Sequence, residues 1–405
     1  MQVLKFGGTS VANADNINKT AAVVLEAAAR DRTLVVVSAL GGITDTLLAA
    51  GNLAARGDMA YKEQLQVIES RHLEAVKSLI PVTHQSSLLS LVKTMCNEIE
   101  DICNGIYLLK ELSPQTRDRI MSYGELLSSR IITQRLIELG ASATWKDSRE
   151  LIRTNSHFGN ALVNYEYTNA AIARFLKESS EKLFLFPGFI ASNAEGVTTT
   201  LGRGGSDYTA AILGAAAEAK AVEIWTDVSG MMTADPRWVP NAKIIPHISY
   251  QEAMELSHFG AKVIYPPTIQ PVMKKNIPVW IKNTFAPADY GTLIEKDARN
   301  NENSVRGISS MNKVALLSLE GSGMIGIPGF SKRLFEALAN ENINVILITQ
   351  SSSEHSICVA VEESMADKAK HTVDRIFQYE IETGKVEPLV IEKEQSILAL
   401  VGDNM

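Results

Sequence analysis

The chain has 405 residues, 45% of them hydrophobic and 21% charged, with 39 Lys plus Arg against 46 Asp plus Glu and a formal net charge of −7. At roughly 150 residues per domain this makes two to three globular domains. It excludes a general nucleic-acid binder, which needs a basic stripe, and a membrane helix, which needs roughly 20 apolar residues. The opening residues lack the basic-then-apolar order of a signal peptide, and Cys96, Cys103 and Cys358 form no metal or redox motif. Both features fit a reducing, cytoplasmic setting. The seven histidines show no ligand spacing, and no residue set is assigned to a metal.

In chain order, short β-branched runs alternate with helical periodicity. Val3 to Phe6 reads as a strand and Gly7-Gly8-Thr9-Ser10 as a turn, followed by a helix with Ile17, Ala21, Val24 and Ala28 on one face. Leu34 to Val37 is a second strand running into Ser38-Ala-Leu-Gly-Gly42. Between 88 and 112, Leu91, Met95, Ile99, Ile102, Ile106 and Leu109 recur at helical steps, Cys96 and Cys103 share a buried face, and Pro114 is expected to stop the helix. Another helix ends near Gly140. Leu183 to Phe186, Val222 to Trp225 and Val279 to Lys282 read as further strands, each entering a polar turn. This alternation predicts an α/β sandwich with a mainly parallel sheet, whose ligands sit at the carboxyl ends of the strands.

A polar stretch from Lys296 to Ser304 marks a boundary. After it come strand 314–319, helix 330–340, strands 345–350 and 356–361, helix 365–378 and strand 388–391, the βαββαβ order of a ferredoxin-like module. Leu317–Met324 then resembles Leu398–Met405, so residues 394–405 read as the start of a second copy. A lone apolar strand makes a poor terminus, and the chain is expected to be a fragment of something longer.

Three turns carry chemistry. In Gly202-Arg203-Gly204-Gly205-Ser206-Asp207 the glycines permit close backbone approach, Ser206 or Asp207 can cap a helix beginning near Tyr208, and Arg203 offers a fork for a carboxylate or phosphate. The plainer reading is a capped tight turn, which leaves the Arg between glycines unexplained. Lys5 lies inside an apolar strand, where a charge is costly unless paired, so it either meets phosphate at the strand end or faces solvent from an edge strand. Thr226-Asp227 through Arg237 could wrap a nucleotide or be a surface loop held by Asx turns. Glu125 would ordinarily be a solvated helix residue. Gly321-Ser-Gly323-Met-Ile-Gly326 matches a dinucleotide fingerprint, but Pro328 and Gly329 intervene before the helix and no acidic residue ends the next strand. No P-loop is present.

Together, Lys5-Phe-Gly-Gly-Thr-Ser10, Val37-Ser-Ala39, Gly42-Ile-Thr44, Gly124-Glu-Leu126, Gly202–Asp207, Trp225-Thr-Asp227 and Phe259-Gly-Ala-Lys262 resemble the aspartate kinases, of the amino-acid kinase fold. The C-terminal module resembles an ACT domain. The resemblance implies a three-layer amino-acid kinase domain over residues 1–295, an ACT module over 296–393, and a truncated second ACT unit from 394 that pairs with residues 304–311. Gly321–Gly329 and Leu347–Glu354 are most similar to the bifunctional aspartokinase–homoserine dehydrogenases, which implies a dehydrogenase in the native chain.

The implied reaction is ATP plus L-aspartate giving ADP and 4-phospho-L-aspartate, the first step toward lysine, threonine and methionine. By that resemblance Glu125 reads the substrate ammonium and Arg203 its α-carboxylate, with Ser38, Thr44 and Ser206 adding hydroxyls. Lys5 faces the transferring phosphate and Asp207 orients lysines or metal-bound water. Gly7, Gly8 and Thr9 donate amides, Lys262 meets the nucleotide phosphates, Thr226, Asp227, Met232 and Arg237 hold the nucleotide, and Mg²⁺ offsets repulsion. Met232 stands where the family often has Tyr, and Tyr265-Pro266 where it has His-Pro. Asn344 and Gln350 match the effector positions, for threonine or lysine, and ACT pairing implies a homodimer. The competing readings are a glutamate or acetylglutamate kinase of the same fold and a catalytically silent amino-acid sensor.

Overall fold

Parallel strands covered on both faces carry continuous apolar runs, and the first strands have that character. The computed structural model describes residues 1–258, 263–297, 305–324, 329–350 and 356–402. They form two units, Met1–Gly307 together with Gly402, and Ile308–Val401.

The first unit begins with β1 (Gln2–Phe6), α1 (Ala14–Arg30), β2 (Thr33–Val37) and α2 (Ile43–Ala55). Three long helices follow: α3 (Tyr61–Leu79), α4 (Gln85–Leu109) and α5 (Pro114–Glu138). Then come β3 (Ala143–Trp145), α6 (Tyr165–Glu178), β4 (Leu183–Pro187), the hairpin β5 (Ile190–Ser192) and β6 (Thr198–Thr200), α7 (Gly205–Ala216) and β7 (Val222–Thr226). The unit closes with β8 (His247–Ser249), α8 (Tyr250–His258), α9 (Gln270–Lys274), β9 (Val279–Asn283) and β10 (Thr292–Glu295).

Among the described residues the main sheet has eight strands in the order β3-β4-β2-β1-β7-β9-β10-β8, parallel except for the β9–β10 pair. Side chains alternate between its faces. Leu4, Phe6, Val35 and Val37 join the core beneath α1 to α5, whereas α7 packs on β1 and β2 from the other side. The expected three-layer sandwich is present, and β1 is a central strand. Lys5 therefore cannot be the solvent-facing lysine of a sheet edge.

Two helical expectations are corrected. The most deeply buried stripe of α4 is Leu88, Val92, Cys96, Ile99, Cys103 and Ile106, with the expected Leu91, Met95 and Ile102 partly buried along its side, while Leu109 is 77% exposed. Cys96 and Cys103 do share the buried face. Pro114 does not stop this helix. It ends at Leu109 with Lys110 in a left-handed conformation, and Pro114 opens α5 behind the Ser113 cap, whose Oγ accepts from the Thr116 amide at 3.1 Å.

The second unit contains β11 (Val305–Glu320, entering from the first unit), α10 (Phe330–Asn340), β12 (Val345–Gln350), β13 (Ser356–Glu362), α11 (Ala366–Ile376), α12 (Gln378–Glu382) and β14 (Val390–Gly402). Its sheet order is β12-β13-β11-β14, with antiparallel β12–β13 and β13–β11 pairs, and this is the ferredoxin-like arrangement. Leu317, Leu319, Leu334, Val359 and Val373 form the core with Phe377, whose ring stacks on Phe330 at 5.5 Å. Residues 390–402 are one strand, with Glu394 at φ +60° and Lys313 at φ +61° in the neighbouring β11. The left-handed Glu394 thus stands within that strand at the start of the segment read as a second copy. Among the described residues no helix is long and apolar enough to cross a membrane.

Candidate active site

The sheet's alternation sends Lys5 to the α7 face, and there its Nζ lies 2.6 Å from Asp207 Oδ1, both side chains being 11% exposed. Asp207 stands in the first turn of α7, whose free amides favour an anion. The helix starts at Gly205 behind Gly204 at φ +69°, with no side-chain cap. Ser206 and Asp207 are thus free of the capping role expected of them. A side chain on Gly204 would strike Thr268 at 2.9 Å and Tyr265 at 3.0 Å, and one on Gly205 would strike Phe189 at 2.6 Å. Phe189 itself is left-handed, at φ +68°, a strained conformation of the kind that clusters at functional sites.

The two glycine turns after β1 and β2 meet backbone to backbone. A Cβ on Gly8 would come within 3.3 Å of the Ala39 carbonyl oxygen, and one on Gly41 within 3.1 Å of the Gly8 oxygen. Arg71 on α3 fastens both turns, donating to Gly41 O at 2.6 Å and Ala12 O at 2.8 Å. The Gly7 amide donates to Trp225 O at 3.2 Å, so it is spent on the sheet rather than available to a phosphate. Gly8 and Thr9 remain the candidates from that turn.

Glu125 is not the solvated helix residue its sequence position suggests. It is 3% exposed, and its Oε1 accepts from the Ala39 amide at 3.2 Å. Oε2 has no partner. Burial pushes the carboxyl up to about 8, against smaller opposing effects of the Ala39 amide and Lys5. Gly124 beside it lets α5 approach the second turn, since a Cβ there would lie 2.8 Å from Ala39 Cβ.

These groups line one cavity of about 600 Å³, which brings together Lys5, Gly8, Ser38, Thr44, Glu125, Arg203, Ser206 and Asp207. Arg203 is exposed, its guanidinium 5.5 Å from the Tyr265 ring centre. Gly7, Thr9, Thr226, Asp227, Met232 and Arg237 do not line it. Thr226 ends β7, the strand beside β1, and its Oγ1 donates to Asp227 Oδ1 at 3.1 Å. Met232 bridges to Ile244. Arg237 is 81% exposed and paired with Asp235 at 2.5 Å. Lys262 lies outside the described residues. Asn344 and Gln350 are exposed at the two ends of β12, an edge strand of the second unit's sheet.

Sequence reasoning missed Arg71, Phe189, Arg117 and Asp118; the last three line the cavity. Asp118 had a signal, since it precedes Glu125 by two helical turns and so shares its face.

Comparisons with known proteins place this site in a lineage. The amino acid kinase family profile matches residues 1–283, and an ACT domain profile matches 317–377. The chain is 35% identical to a maize chloroplastic bifunctional aspartokinase/homoserine dehydrogenase, over all of this chain and 44% of that protein. It is 35% identical to the lysine-sensitive aspartokinase 3 of Escherichia coli, over all of this chain and 87% of that one. It thus spans about half the length of the bifunctional relatives it matches. The crystal structure of E. coli aspartokinase III with aspartate and ADP superposes with a TM-score of 0.85 at 34% identity, covering 100% of this chain and 88% of that one. Aspartate kinase from Clostridium acetobutylicum gives 0.80 at 27% identity, covering 99% and 87%. The chain belongs to the amino acid kinase family.

Proposed function

We propose that the protein is an aspartate kinase, transferring the γ-phosphoryl group of ATP to the β-carboxylate of L-aspartate. The observation that carries this is the cavity itself. A buried carboxylate with one unpartnered oxygen, Glu125, and a guanidinium, Arg203, line the same space as the Lys5–Asp207 pair at the strand ends. An ammonium and an α-carboxylate satisfy the first two groups, and phosphate satisfies Lys5. The likeness to the E. coli enzyme crystallised with aspartate and ADP supports the same reading.

The nucleophile has an ordinary pKa of about 3.9 and is ionised at neutral pH, so no general base is needed. Catalysis is then positioning and charge compensation. Glu125 and Arg203 fix the α-amino-acid end and leave the β-carboxylate directed toward Lys5. Lys5 withdraws charge from the transferring phosphoryl group, and Gly8 and Thr9 present backbone to it. Thr226, Asp227, Met232 and Arg237, one strand away, together with Gly7 as spacer and Lys262, form the nucleotide side.

No cluster of three His, Cys, Asp or Glu that could hold a metal exists among the described residues. Mg²⁺ is held through one or two carboxylates plus substrate phosphates, and Asp207 at the strand ends is the carboxylate at hand. The ion supplies neutralisation of phosphate charge. We further assign amino-acid sensing, of threonine or lysine, to the ACT unit at Asn344 and Gln350. The E. coli relative is also known as a complex with lysine and aspartate.

The test is acyl-phosphate trapping as hydroxamate with ATP and, separately, aspartate, glutamate and acetylglutamate. Product with aspartate alone is expected. Product with either competitor instead shifts the substrate, and none with all three leaves a sensor.

A further inference from the structure

The two groups that read the substrate's α-amino and α-carboxyl ends stand on different elements, Glu125 on α5 and Arg203 on the turn after β6. Something must hold their separation. Asp118, fully buried on α5, is the group that does so geometrically. Its Oδ2 accepts from the Thr200 amide at 2.8 Å and the Gly159 amide at 2.9 Å, and its Oδ1 accepts from the Thr200 hydroxyl at 2.9 Å.

Both anchored segments bear on the Arg203 turn. Thr200 is two residues before Gly202. Gly202 is left-handed at φ +74°, and a Cβ there would meet Asn160 Oδ1 at 2.7 Å and Gly159 O at 3.2 Å. The turn therefore rests on the 159–160 segment and continues from the strand that Asp118 holds. Seven residues on, along the same face of α5, is Glu125. Two of Asp118's three bonds go to Thr200, on the stretch that leads to Arg203, and the third goes to Gly159, on the segment against which Gly202 rests.

We propose that Asp118 is a positioning residue for aspartate recognition, a strut from α5 that sets the Glu125–Arg203 separation to the length of an α-amino acid. This rests on the kinase reading above. The carboxylate is suited to the role because it accepts three bonds and donates none. It leaves no backbone amide of the wall unpaired, and an unpaired amide would cost more than the bond itself contributes. An asparagine keeps one oxygen for the two amides and can turn its NH₂ toward the Thr200 hydroxyl, so it preserves most of the strut. An alanine preserves none of it.

The experiment compares wild type, D118A and D118N in steady-state kinetics, varying aspartate and ATP separately, with melting temperature recorded for each. D118A is expected to raise the aspartate KM about tenfold or more, with the ATP KM and kcat within about twofold of wild type. D118N is expected to return the aspartate KM to within about threefold. Thr200→Val, which removes only the hydroxyl bond, gives an intermediate rise and serves if D118A does not fold. Three results overturn the inference: an aspartate KM unchanged in D118A, a fall confined to kcat, or a loss that tracks melting temperature in D118A and D118N alike. A wild type inert toward aspartate overturns the kinase reading and this inference with it, whereas an active wild type with an unaffected D118A overturns the strut alone.

Discussion

The carboxyl of Glu125, raised to about 8 in the empty cavity, makes aspartate binding a proton-linked event. Below pH 8 the empty site holds a neutral acid, and an ammonium requires the carboxylate. At pH 7 ionisation costs one pKa unit, about 1.4 kcal/mol or tenfold in affinity. At pH 6 the deficit is about a hundredfold, and above pH 8 it vanishes. The aspartate KM should therefore fall about tenfold per unit between pH 6 and 8 and level off above. The substrate's own β-carboxylate, with a pKa of about 3.9, does not titrate in this window.

Calorimetry at pH 7 in two buffers of different ionisation enthalpy should record release of about 0.9 proton per aspartate bound. Glu125→Gln should abolish the slope, with a KM penalty of about 10- to 100-fold at pH 8 that shrinks toward pH 6. The stability sign follows from the same shift. A carboxyl raised from 4.5 in the unfolded chain to about 8 in the fold destabilises the empty protein progressively as pH climbs through that interval. The melting temperature of Glu125→Gln should thus overtake wild type between pH 5 and 8. A pH-independent aspartate KM together with no proton release would refute the reasoning.

Lys5→Ala should lower kcat about 10²- to 10³-fold by removing charge at the transferring phosphate, whereas Arg203→Ala should mainly raise the aspartate KM, by about 10- to 100-fold; equal effects of both on KM would argue against separate roles. Gly124→Ala places a Cβ 2.8 Å from Ala39 Cβ, and overpacking of about 1–3 kcal/mol should outweigh the gain in helix propensity of about 1 kcal/mol, read as a lower urea midpoint with a raised aspartate KM. Arg306 donates to Glu252 at 2.9 Å, with both side chains less than a tenth exposed. Arg306→Met should cost about 3–5 kcal/mol by stranding that carboxylate, and adding Glu252→Gln should recover part of the loss in a double-mutant cycle.

The parallel sheet was legible because its central strands are uninterrupted apolar runs, and the site was legible where glycines break them. Lys5 announced itself as a charge in such a run, and its partner Asp207 followed from the same turn chemistry. Less was readable where tertiary packing decides. The buried stripe of α4 is broader than the one that periodicity favoured, because α3 and α5 both press on it and two cysteines serve as core residues beside the expected ones. Pro114 reads equally as a stop or a start, and only the Ser113 cap decides it. Gly7 was counted among the phosphate donors because a glycine after a strand has that use, but pairing with β7 consumes its amide. Arg71 was invisible because it acts on backbone carbonyls distant in sequence, and although the helical spacing of Asp118 from Glu125 places the two on one face, a sequence does not display which amides lie across a cavity.

The empty site is close to electrically neutral within, and this bears on how it discriminates. Lys5 and Asp207 compensate each other at the strand ends, and Glu125 keeps its proton at neutral pH. A low-dielectric cavity permits little else, because a buried charge without a partner is costly. The substrates therefore enter by replacing internal compensation with their own charges. An ammonium stabilises the ionised form of Glu125, whose proton leaves to solvent, and a phosphate competes with Asp207 for Lys5. A carboxylic acid without an α-ammonium, such as acetylglutamate, leaves Glu125 neutral and gains nothing from it. Because the Glu125 carboxyl is raised, discrimination for the free amino acid over such acids should sharpen as pH rises toward 8.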